Sequence, residues 1–116
     1  MKTNKIITSY PAELSNKQLY LLTMNNQTLK MSDCDGQILD IQAWAVYTDS
    51  DFTSGEEKEI LSILTKEGDV LATISETFKR DFLNMAEVFG EELEKIEVVT
   101  GKTKNGRTYV TCKYAE

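Results

Sequence analysis

Histidine is missing from all 116 residues of the chain. Its absence removes Ser-His and Cys-His nucleophile pairs, histidine-type zinc sites and the commonest general base together. Proline occurs once, at Pro11, and there are no repeats or low-complexity segments, so no linker divides the chain. Cysteine occurs only as Cys34, set between Asp33 and Asp35, and Cys112. Flanking carboxylates raise a thiol's pKa, and two cysteines make no disulfide framework, so both are expected to be reduced thiols without chemistry. No apolar run approaches the roughly 18 residues that cross a bilayer, and Ile6-Ile7 is far too short for a signal-peptide core. These absences predict a cytoplasmic chain with no membrane, metal or cofactor, and they leave nothing that points to an enzyme.

Residues 1–116 are expected to form one domain, long enough to bury a core unaided. The net charge of −6 is unevenly spread. Residues 1–32 hold Lys2, Lys5, Lys17 and Lys30 against Glu13 alone, whereas residues 33–76 hold eleven acids against Lys58 and Lys66. From residue 77 onward, acids and cations balance. An acidic middle solubilises a chain, steers a polyanion to another face, or mimics one.

Along the chain, Pro11 closes a short extended start, and Ser15 is a good N-cap for a helix over Asn16 to Met24. Leu29 to Cys34 is open between a helical turn and irregular cover. From Gly36 the pattern turns to strands. Between Ile38 and Thr48, the alternate residues Leu39, Ile41, Ala43, Ala45 and Tyr47 read as one core face. The other face carries Trp44, expected to be exposed because its strand's first face is already apolar. A loop, Asp49 to Gly55, holds Phe52. Lys58 to Thr65 and Asp69 to Ile74 read as strands joined by a tight turn at Lys66-Glu67-Gly68. Ser75 caps a helix to Phe89, stopped by Gly90, with Phe78, Phe82, Met85 and Phe89 in one core stripe. Lys79 and Arg80 lie off that stripe and are expected on a solvated face.

Lys95 to Thr100 reads as a further strand, and the C-terminal stretch after it, Gly101 to Tyr114, is the most telling. Asn105-Gly106 between two alternating runs signals a hairpin whose central residues both take positive φ. The strand after it puts Arg107, Tyr109, Thr111 and Lys113 on one face and Thr108, Val110, Cys112 and Tyr114 on the core face. Cation, aromatic ring, hydroxyl and cation in a row suit a polyanion with stackable bases, and Lys102 and Lys104 add charge at the turn. The candidate phosphate contacts are Lys102, Lys104, Arg107 and Lys113. The candidate stacking residues are Tyr109 and Trp44, with Phe52 in the loop. Three strands, a helix and two strands is the order of an OB-fold, a five-stranded Greek-key barrel, here mainly β with an N-terminal helical extension over 1–35 and a core over 36–114. Such barrels bind on the face of their second and third strands.

With that order in place, residues 36–114 resemble the small OB-fold single-stranded DNA-binding proteins of tailed phages of Gram-positive bacteria. The resemblance is carried by Ile41-Gln42-Ala43-Trp44-Ala45-Val46-Tyr47, by Ser75-Glu76-Thr77-Phe78-Lys79-Arg80-Asp81-Phe82 at the helix start, and by Lys104-Asn105-Gly106-Arg107-Thr108-Tyr109. It implies a protein that coats single-stranded DNA without sequence preference in replication or recombination, alongside proteins of those processes. The second reading is an acidic DNA mimic that occupies a host nuclease or effector. An exposed edge strand also offers a route to a homodimer.

Overall fold

The computed structural model describes residues 3–11, 13–24, 29–50 and 57–115. In chain order the elements are β1 (Thr3–Tyr10), α1 (Asn16–Met24), β2 (Leu29–Lys30), a 3-10 turn (Met31–Asp33), β3 (Ile38–Ser50), β4 (Glu57–Thr65), β5 (Val70–Thr73), α2 (Glu76–Phe89), a second 3-10 turn (Gly90–Glu92), β6 (Lys95–Lys102) and β7 (Thr108–Tyr114). Three strands, a helix and a two-stranded hairpin follow one another from β3 to β7, as the sequence order predicts.

β3 is the spine. Its first residues, Ile38 to Asp40, pair with β6, and from Ile41 onward it pairs with β4. The path β5-β4-β3-β6-β7 curls into a half-barrel, and no ladder joins β5 to β7 among the described residues. This is the mainly β, OB-like architecture expected from the sequence, partly open as such barrels are. The N-terminal stretch supplies the expected α1 and also two strands. β1 pairs antiparallel with β3 between Trp44 and Ser50, and β2 pairs parallel with β5.

The helices begin where the sequence marks them. Ser15 and Gln18 form a reciprocal capping box, each side chain accepting the other's backbone N–H at 3.1 Å. The Ser75 hydroxyl accepts from Phe78 N at 3.2 Å and donates to the Val110 carbonyl at 3.2 Å, so the cap of α2 also fastens β7 across the open seam. Phe78 and Phe82 are wholly buried under the barrel, with Met85 and Phe89 packed beside them.

The core has two layers, and β3 crosses between them. The strand slips register between Ile41 and Ala43, a bulge that leaves Gln42 as the extra residue. Before the bulge Leu39 and Ile41 face the barrel interior; after it Trp44 and Val46 do. Ala43 and Ala45 turn outward instead, into a second layer with Leu64, Val70 and Leu22 of α1. The single alternating core face read from sequence is therefore corrected to two, because one inserted residue inverts the pleat.

Lys79 also departs from expectation. Its side chain is buried, with Nζ donating to the Glu59 carbonyl at 3.1 Å and to the Glu76 carboxylate at 2.9 Å. A buried ammonium is tolerated only with such partners. Lys79 therefore ties α2 to β4 and is not on a solvated face.

Candidate nucleic-acid interface

The β6–β7 hairpin positions most of the candidate residues. Its loop is one residue longer than the sequence suggests. Gly106 has φ of +79°, but no residue other than glycine among the described ones has positive φ, so Asn105 does not. Gly106 N donates to the Thr103 carbonyl at 2.9 Å and Thr103 N to the Arg107 carbonyl at 2.8 Å. This is the three-residue loop in which a turn is followed by a left-handed glycine, and it replaces the expected two-residue turn.

Across the ladder Glu97 faces Lys113, Val99 faces Thr111, and Gly101 faces Tyr109. The Tyr109 ring covers Gly101: a Cβ built there would lie 2.5 Å from the Tyr109 hydroxyl. The missing side chain gives the ring a seat on the sheet, and the ring remains 40% exposed. Val110 and Cys112, on the opposite face, are buried as the alternation predicts. Tyr114 is less enclosed than expected, but its ring stacks on Phe89 at 4.4 Å.

The charges along this face are graded. Lys102, Lys104 and Arg107 are exposed at the tip and have no ion pair among the described residues. Lys113, at the far end, lies 3.6 Å from the Glu97 carboxylate. Between them, the Thr111 hydroxyl is hydrogen-bonded to Asp81 of α2. Positive charge is thus free at the tip and neutralised toward the base. The sequence alternation found the face but could not find this gradient, because Glu97 and Asp81 come from other elements.

Trp44 is not the open indole that the sequence predicts. It is 9% exposed and packs edge-on against Phe82 with ring centroids 5.2 Å apart. The cause is the bulge at Gln42, which turns Trp44 inward. Phe52 lies outside the described residues, as do Asp51 and Glu56 of the acidic loop.

A feature unseen in the sequence is a groove of about 380 Å³ on the outer side of β4 and β5, lined by Lys30, Met31, Ile60, Ala72, Thr73 and Ile74. α1 covers the neighbouring part of that outer face at Ala43, Leu64 and Val70. Lys30 and Lys58 are exposed there without an ion pair among the described residues.

The thiols are quiet. Burial, aided by the Asp81 carboxylate, pushes the Cys112 thiol up to about 12. Burial, then Asp33 and Asp69, raises Cys34. Both are protonated at neutral pH, the less reactive form. No helix among the described residues is long and apolar enough to cross a membrane.

A curled, partly open barrel whose outer hairpin seats an aromatic ring among free cations has the build of an OB-like binding module. A family model described as phage single-stranded DNA-binding protein matches residues 7–114. The chain belongs to this family of phage single-stranded DNA-binding proteins, as its barrel-strand, helix-start and hairpin motifs suggest. Membership favours DNA binding over the acidic-mimic reading. Searches of curated proteins and of solved structures each found no match.

Proposed function

We propose that the whole chain, 1–116, works as one domain that coats exposed single-stranded DNA without sequence preference, in support of phage replication or recombination. The observation that carries this reading is the Tyr109 ring seated on Gly101 beside the free cations Lys102, Lys104 and Arg107. Stacking on an aromatic ring is sequence-tolerant because every base has a π face, and it is worth ~1–3 kcal/mol per base. The three cations hold phosphates on either side of the stacked base. The groove over β4 and β5, with Lys30 and Lys58 beside it, extends the track on the surface that OB barrels commonly use. Lys113, held by Glu97, contributes little.

Titration of a labelled oligo-dT at several salt concentrations tests this. Lys104→Ala and Arg107→Ala should each weaken binding and lower the salt slope by about 0.7, the increment for one single-strand phosphate. Lys113→Ala should leave the slope near wild type. A double Lys104/Arg107 variant with unchanged affinity and slope would move the site off the hairpin.

A further inference from the structure

A second groove lies between β1 and α2, on the barrel flank away from the β4–β5 groove. Its volume is about 310 Å³. Thr8, Tyr10 and Trp44 form one wall, and Leu83, Ala86 and Glu87 the other. Tyr10 sits directly across the ladder from Trp44, and both line the groove. The lining is mainly apolar, and no Lys or Arg takes part in it among the described residues. Its one charged member is Glu87, which is exposed at the rim. Glu92 and Glu94, both exposed, follow Gly90 in the chain but are not among the groove's lining residues.

This chemistry is the opposite of the hairpin's. A nucleotide brought here would carry its phosphate toward Glu87, with no Lys or Arg among the described lining residues to receive it. An apolar side chain flanked by lysine or arginine would fit on both counts. The apolar group would fill the slot against Trp44 and Tyr10, and a basic neighbour would meet Glu87 at the rim. Interface pockets that take one large side chain within a charged rim commonly supply most of the affinity of a contact. We infer that the β1–α2 groove is a docking site for a protein partner that presents an apolar residue flanked by basic ones. The recruiting surface and the DNA surface are thus separated by charge sign, and a partner can bind while the hairpin holds a strand.

Trp44 is the chain's one tryptophan, so its emission reports on this groove. The probe is a tryptophan-free nonapeptide with a central Leu flanked by Lys and Arg, compared with the same peptide flanked by Glu. The basic peptide should shift Trp44 emission saturably, and the acidic peptide should not. Glu87→Lys, at an exposed helix position, should weaken the basic peptide about ten-fold or more. Ala86→Leu, which fills the slot, should do the same. Both variants should keep oligo-dT affinity within about two-fold of wild type, since neither residue lies on the hairpin. No saturable shift, equal binding of the acidic peptide, or competition between basic peptide and oligo-dT would overturn the inference. So would a wild-type dimer in sedimentation velocity that Ala86→Leu dissolves, because a second copy would then fill the groove. Loss of oligo-dT binding in hairpin variants with peptide binding intact would separate the two surfaces, and the inference stands even if the hairpin proposal fails.

Discussion

Gly101 and Tyr109 act as a pair. Because the strand has no side chain at Gly101, the Tyr109 ring rests on the backbone and presents itself without needing a partner beneath it. Gly101→Ala places a Cβ 2.5 Å from the Tyr109 hydroxyl, so the ring must swing away. The expected result is a loss of oligo-dT affinity of ~1–3 kcal/mol, as for deletion of a stacking ring. Little change in the urea midpoint should accompany it, since the ring is the free end of a flexible side chain. Equal affinity for wild type and variant would show that the ring's seat is irrelevant to binding. Cys112 offers a second residue-scale test. In the folded chain its thiol holds its proton up to about pH 12, against an ordinary value of 9.0. Between those values the unfolded chain binds fewer protons than the folded one, so stability falls as pH rises, and the full contribution is present below pH 9. Urea unfolding should therefore show wild type losing stability relative to Cys112→Ala between pH 9 and 12. A difference that stays constant across that window would rule out the buried thiol as the cause.

At the level of elements, β3 decides how the layers form. Deleting Gln42 removes the bulge and returns the strand to unbroken alternation. Leu39, Ile41, Trp44 and Val46 would still share the barrel face by simple alternation, and Ala43 and Ala45 would still face α1. The deletion variant should therefore keep its cooperative thermal transition, whereas Trp44→Ala, which removes a large buried ring, should cost ~3–5 kcal/mol. Loss of the cooperative transition on deletion, with Trp44→Ala tolerated, would contradict the layer assignment. The bulge also marks where sequence reading stops. Both main helices were legible because capping is local: Ser15 and Ser75 stand at their starts and Gly90 at the end of α2. The strand order and the two faces of β7 were legible for the same reason. The bulge has no glycine or proline to announce it. Asn105-Gly106 fits two kinds of hairpin loop, and the choice lies in hydrogen bonds that the letters do not encode. Lys79 could not be placed from its neighbours, since its partner is a carbonyl of β4 twenty residues away. The exposure of Trp44 failed with the bulge, and the pairing of Lys113 with Glu97 depended on the ladder register.

Over the whole molecule, the N-terminal segment is a structural part of the barrel. Leu22 is buried to 1% exposure against Ala43, Ala45, Leu64 and Val70, and Ile6 and Leu14 pack at the margin. Full burial of one such leucine is worth about 1.5–3 kcal/mol. A chain beginning at residue 25 should therefore unfold at lower urea and scatter light at concentrations where the full chain stays clear. A truncated chain as stable and as monodisperse as the full one would reduce the segment to an appendage. The distribution of charge has a further result when many copies share one strand. Each molecule carries a net −6 and, on the proposed reading, would grip DNA through a small cationic tip. A coated strand therefore gains more negative charge from its proteins than it loses through their contacts. Neighbouring bodies repel one another along the filament, while each tip is attracted to the phosphates. Added salt weakens both forces. It loosens the hold of each single molecule, yet it lets those that remain crowd more closely, so packing density and individual affinity respond to ionic strength in opposite directions.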